Sequence, residues 1–264
     1  NKSRLFPTEN IILGDLDRAK VVFAVPFDTP TRALTDCRYY PFHPELTIRE
    51  ERKDLLFHGL VALLFILLSY LPISAALERG GWWFLLLAVA AAMILYGLHH
   101  IQGITNPVNF NRASASVAVC AKLCEELKGN RNVAFAFCDR ATTSYEGYKL
   151  LSKELSPNQT VVLLDCIAQG DQLVLAHGTL ANLKSRALLE LLPQNTMERT
   201  YTDEQLEGGR NLLTLFPAGM ILTSGSIEEG ELVVRDTRTP RDTGLDLPRL
   251  EAIEKALRTF AQGR

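Results

Sequence analysis

Over most of the chain, short continuous apolar runs alternate with stretches in which apolar residues recur every three or four positions, the signature of strands alternating with helices. Ala19–Val25 is an apolar run closed by Pro26 and predicts a buried strand. Ser114–Leu127 carries Val117, Cys120, Cys124 and Leu127 at helical spacing, and Gly129-Asn130 stops it. Further strands are predicted at Val133–Phe137, Thr160–Leu164, Gln172–Ala176, Met220–Leu222 and Glu231–Val234. Helices are predicted over Tyr145–Leu155, Leu180–Leu192 and Glu204–Leu213, the last behind a Thr202-Asp203 start. The final helix places Leu250, Ile253, Leu257 and Phe260 on one stripe, with Asp246 and Pro248 as start signals. Such alternation predicts an α/β fold: a mostly parallel sheet covered on both faces, with ligand chemistry at the carboxyl ends of its strands.

One region breaks the pattern. Leu55–Leu77 and Trp82–Ile101 are apolar almost throughout, separated only by Glu78-Arg79-Gly80-Gly81, and read as an antiparallel transmembrane hairpin. Paired indoles at Trp82 and Trp83 suit a membrane interface. Three basic residues, Arg49, Arg52 and Lys53, precede the hairpin, against Arg79 at its tip. By the positive-inside rule an integral protein of the plasma (inner) membrane with a cytoplasmic domain is expected. That domain would be assembled from residues 1–54 and 103–264, with the hairpin inserted as 55–102. The first residue, Asn1, is not an initiator methionine, so a preceding segment or processing is expected.

Composition adds little about partners: the formal net charge of −2 gives no sign of nucleic acid. The lipid bilayer, a membrane protein or a second copy, and a peptide ligand are the partners considered. Five cysteines, an odd count in mostly apolar runs, read as reduced core thiols, and Cys120 with Cys124 as core packing on a helix. The sequon at Asn158 has no acceptor role in the cytoplasm. Of the five histidines, His58 lies in the first apolar span and reads as facing the other helix. His99 and His100 close the second span, and His177 reads as a capping or surface residue.

Five short strings, in order, resemble the di-zinc aminopeptidase family related to aminopeptidase Y and glutamate carboxypeptidase. Phe23-Ala-Val-Pro26-Phe27-Asp28-Thr29-Pro30 is similar to the family's V-G-A-H-Y-D-S/T-P, with Pro26 at the zinc-binding histidine. The segment from Asn109 to Ala118 resembles N-D-N-A-S-G-V-A, with Asn111 or Arg112 at the bridging aspartate. The run from Cys138 to Tyr148, with Asp139 near its start, is similar to F-D-G-E-E-x-G-x-x-G-S. Ala141 and Thr142 then replace the general-base and ligand glutamates. Val162–Cys166 resembles N-L-D-M and retains Asp165, the one ligand position kept; Arg238-Thr239-Pro240-Arg241-Asp242-Thr243 resembles H-T-P-x-D-T, with Arg238 at the last histidine.

The resemblance implies a zinc-exopeptidase-like three-layer sandwich with a mostly parallel, mixed sheet interrupted by the hairpin. It also implies that the family's two-zinc chemistry is lost, since Pro26 offers no lone pair, Ala141 accepts no proton and Arg238 brings positive charge. The expected function is a membrane-anchored pseudo-peptidase, without catalytic residues or cofactor, acting in binding or assembly. The alternative is an active metallo-aminopeptidase with a rearranged zinc site. A small transporter subunit is a weaker third reading. Arg112, Arg140 and Arg238 either converge on the cleft as an anion pocket or pair with Asp28, Asp139 and Asp165.

Overall fold

The computed structural model describes residues 7–101, 104–142, 144–207 and 211–263; within its two long helices the side chains of 68–77, 79 and 97–101 lie outside the description. Its centre is a mixed sheet of eight strands: β1 (Ile11–Leu13), β2 (Val21–Pro26), β3 (Val133–Cys138), β4 (Thr160–Leu164), β5 (Gln172–Gly178), β6 (Met197–Tyr201), β7 (Gly219–Glu228) and β8 (Glu231–Val233). The order is β1-β3-β2-β4-β7-β5-β6, with β8 paired to β7. Pairs β2–β3, β2–β4, β4–β7 and β5–β6 are parallel, and β1–β3, β5–β7 and β7–β8 antiparallel.

Strand β2 explains why the sequence reads as an unbroken apolar run there. It is paired on both edges and covered on both faces, so all six of its residues are buried. Phe23 and Val25 face a core closed by α3 (Ala115–Glu126), α5 (Asn182–Leu189) and α7 (Leu247–Ala261). Val22 and Ala24 face the opposite core, closed by α4 (Glu146–Glu154) and the 3₁₀ turn Leu212–Thr214. Fully buried Leu123, Leu151, Leu163 and Leu175 each contribute about 1.5–3 kcal/mol of burial free energy to these layers. The α7 start is as its sequence predicts: the Asp246 side chain accepts from the Arg249 amide at 3.1 Å.

Two strands lack a readable signal. β1 is a three-residue edge strand, and β6 is Met-Glu-Arg-Thr-Tyr, mostly exposed at the other edge, where polar residues are tolerated and apolar periodicity fades. β7 runs well past the predicted Leu222 through Thr223, Ser224 and Gly225. At Gly225 a Cβ would lie 2.5 Å from the Val233 carbonyl, so only glycine admits the β8 backbone. The helix predicted over Glu204–Leu213 is instead α6 (Asp203–Glu207) and the separate 3₁₀ turn, with 208–210 outside the described residues.

The hairpin forms, but not as the two membrane spans expected. α1 (Pro44–Arg79) begins in the charged segment before the apolar run and continues into it without a break. It packs on α2 (Trp83–Ile101) across a tip where Gly80 and Gly81 both take positive φ and the Trp82 and Trp83 rings stack at 4.6 Å. Among the described residues, no helix is long and apolar enough to cross a membrane. The transmembrane hairpin and the integral-membrane localisation read from the sequence are corrected accordingly. The side chains of His99 and His100 lie outside the described residues.

Candidate functional site

Three parallel neighbours, β2, β3 and β4, each deliver an aspartate just past their carboxyl ends: Asp28, Asp139 and Asp165. This is where a parallel sheet exposes side chains to a ligand. Beside them the loop after β2, the N-terminal turns of α1, a π-helical turn at Phe110–Ser114, the start of α4 and the 235–243 loop enclose a cleft of about 530 Å³. Arg112, Thr142 and Arg238 line it, as do Tyr39, Tyr145 and Glu51.

Each aspartate has its partners. Asp28 accepts from the Ala141 amide at 2.9 Å, from the Thr142 amide and from the Thr142 hydroxyl, which fixes the turn that follows β3. Asp139 accepts from the Glu9 amide at 3.4 Å. Asp165, only 4% exposed, forms a buried ion pair with Arg112 and accepts from the Tyr39 hydroxyl at 2.6 Å. The Arg112 guanidinium also lies 4.0 Å from the centroid of the Tyr39 ring and donates to the Thr142 carbonyl at 3.4 Å. It closes the base of the cleft, with Asp165 behind it.

The π-helical turn is what aims Arg112 inward. Asp242 accepts from the Asn111 and Arg112 amides at 3.0 and 3.1 Å, and Asn111 Oδ1 accepts from the Ala168 and Gln169 amides. Asn111 is therefore a brace between two loops, turned away from the cleft. Burial is the largest single influence and opposes the Arg112 charge, but the Asp165 carboxylate together with Tyr39, Cys166 and Tyr145 outweighs it and holds the guanidinium well above its ordinary pKa. Burial first, and Asp165 second, push the Tyr39 hydroxyl and the Cys166 thiol up, so both stay neutral.

Backbone strain gathers at the same place. Arg140, Tyr145 and Cys166 take left-handed conformations (φ 49°, 58° and 55°), which cost about 1–3 kcal/mol each without glycine. They follow β3, precede α4 and follow β4; Tyr145 lines the cleft itself, and Cys166 lies behind it against Arg112.

The candidate residues thus divide. Arg112, Asp165, Thr142 and Asp28 meet; Ala141 joins through its amide, while Pro26 is a buried strand end paired in register with Cys138. Arg238 reaches the cleft from the opposite side, donating to the Thr31 carbonyl at 2.8 Å and hydroxyl at 2.7 Å and facing Glu51 at 3.5 Å. Tyr39, Glu51 and Tyr145 went unread, because Pro30–Pro44 has no periodicity and the other two sit in ordinary helical sequence. His177 is not a surface residue: it is 1% exposed, with Nε2 2.9 Å from Glu198 between β5 and β6. His58 does face the other helix, in a groove it shares with Val89 and Met93 of α2. All five cysteines are free, four of them buried and Cys124 half-buried.

A zinc site does not fit these residues. Asp165 is committed to Arg112 and Tyr39, Asp28 to backbone amides and Thr142, and no group of three His, Cys, Asp or Glu side chains able to hold a metal occurs among the described residues.

No family model matches this chain, and no curated protein matches it. Among solved structures it is similar to Bacteroides thetaiotaomicron glutaminyl cyclase bound to N-acetylhistamine, at 11% identity and TM-score 0.49, covering 97% of this chain and 78% of that one. The resemblance to di-zinc aminopeptidases is not supported by any of these comparisons and is withdrawn. Three of its five strings lie at the ends of β2, β3 and β4, where an apolar run followed by an aspartate is common; the other two are a π-helical turn and a loop.

Proposed function

We propose that this chain is a non-hydrolytic binding domain whose recognition site is the cleft between Tyr39, Thr142 and Arg238. One observation carries the proposal: Asp165, the acid nearest the base of the cleft, is neutralised by Arg112 and hydrogen-bonded by Tyr39. A carboxylate held this way is not offered to a metal or to a water proton, and Arg112 sets a fixed positive charge where a cation would have to sit. The strained residues around it are consistent with a preorganised pocket. No cofactor is part of this reading.

The test is metal content and turnover of the purified chain. After incubation with zinc and dialysis, elemental analysis is expected to find well under one equivalent of metal, and aminoacyl anilides are expected to survive unhydrolysed. One or two equivalents of zinc, or turnover abolished by Asp165→Ala, would overturn the proposal.

A further inference from the structure

The lining of the cleft is charged in one sense. Arg38 from the segment after β2, Lys149 from α4 and Arg238 from the 235–243 loop face it, against a single acid, Glu51 of α1. Arg112 and Asp165 cancel at its base, so cations outnumber acids three to one among the remaining lining side chains, with the carboxylates that pair Lys149 and Arg38, Glu146 and Glu228, standing outside the lining. A concave site of one sign focuses the field on ligands of the other.

The three cations are available to a ligand to different degrees. Arg238 is held by Thr31 through Nε and Nη2 and presents Nη1 toward Glu51 at 3.5 Å, a loose one-point contact. Lys149 pairs with Glu146 at 3.0 Å and Arg38 with Glu228 at 3.7 Å, both contacts between half-exposed chains whose exchange for a ligand costs little. Between these cations lie the Tyr39 and Tyr145 rings, with Pro30, Ile48 and Leu215 completing an apolar wall. The volume, about 530 Å³, is that of a pocket for a small organic molecule.

We infer that the ligand of this cleft is an organic carboxylate with an apolar body, of the kind presented by the last residues of a peptide. Its carboxylate displaces Glu51 from Arg238 and is attracted across the cleft by Lys149, while its apolar part lies on the tyrosine wall. This inference rests on the binding-domain reading above and names its ligand class.

Calorimetric titration of the chain with N-acetyl dipeptides ending in a free carboxylate, with the same dipeptides as carboxamides, and with inorganic phosphate tests it. Free acids with an aliphatic or aromatic final residue are expected to bind, the carboxamides at least about tenfold more weakly. Raising the salt concentration weakens the acids selectively. Arg238→Gln and the exposed Lys149→Gln each reduce acid affinity several-fold and narrow the gap between acids and amides; because Lys149 holds no buried contact, its variant reads the effect without risk to the fold. Equal binding of acids and amides, absence of acid binding, or phosphate binding as tightly as the acids would each overturn the inference. Hydrolysis of the dipeptides during titration would instead overturn the non-hydrolytic reading, which separates the two failures.

Discussion

Replacing Arg112 by methionine tests the centre of the site. The side chains of Arg112 and Asp165 are 4% and 6% exposed, so the substitution keeps the aliphatic stem but strands a carboxylate away from water. Breaking a buried pair from one side costs about 3–5 kcal/mol. Here Asp165 retains the Tyr39 hydroxyl at 2.6 Å, which supports part of its charge, so a loss of about 3 kcal/mol is expected. That is a shift of roughly two powers of ten in the folding equilibrium, out of a total stability of about 5–15 kcal/mol. Removing both charges, as Arg112→Met with Asp165→Leu, leaves no ion unpaired and should cost less than Arg112→Met alone. Denaturant unfolding of the wild type, both single variants and the double variant closes the cycle, read as shifts in midpoint at constant slope. An Arg112→Met protein within about 1 kcal/mol of wild type, or a double variant that loses the sum of the single losses, would refute the claim that the pair is buried and mutually dependent.

Three further outcomes follow from the same geometry. Asp54 is 4% exposed and accepts from the Leu34 and Thr35 amides (3.1 and 2.9 Å) and the Thr35 hydroxyl (2.7 Å), tying the cleft-lining segment to α1. Asp54→Ala should cost about 2–3 kcal/mol and speed hydrogen exchange at both amides, with Asp54→Asn milder; unchanged exchange contradicts the role. Burial raises the Asp242 carboxyl, against the amides of Arg112 and Asn111 that lower it, so folding takes up protons there. A raised folded value means its contribution is complete below the ordinary 3.8 and is lost as pH climbs through the folded value. The stability of wild type relative to Asp242→Asn should therefore fall as pH rises from below 3.8, and a rise would be the wrong sign. Burial also pushes up the thiols of Cys120, Cys138 and Cys166, leaving them protonated and inert. Titration of the native protein with a thiol-specific disulfide reagent at pH 8 should modify Cys124 first, and rapid modification of Cys166 would show that the cleft base is open.

How much of this was legible follows from the range of each interaction. Strands β2, β3 and β4 and helices α3, α4 and α7 were read close to their observed bounds, because a strand buried on both faces and a helix with one buried stripe write their environment into the local spacing of apolar residues. Edge strands β1 and β6 left no such record: β1 is apolar but at three residues too short to show a period, and in β6 solvent on one side relaxes the demand for apolar residues. The hairpin was visible as two apolar runs, yet its continuity with the charged start of α1 was not, and neither was whether those runs meet the requirement for spanning a membrane.

The site shows the same division more sharply. From the chain alone came the positions of Asp28, Asp139 and Asp165 at strand ends, and the excess of arginine near them. That Arg112 takes Asp165, that Asp28 turns to the amides of Ala141 and Thr142, and that Arg238 answers to Thr31 and Glu51 depend on contacts spanning 53 to 207 residues. Side-chain spacing encodes which face is buried, because that is set within a few residues. Which charges meet is settled only when the sheet order brings distant loops together, and that order is a property of the folded whole.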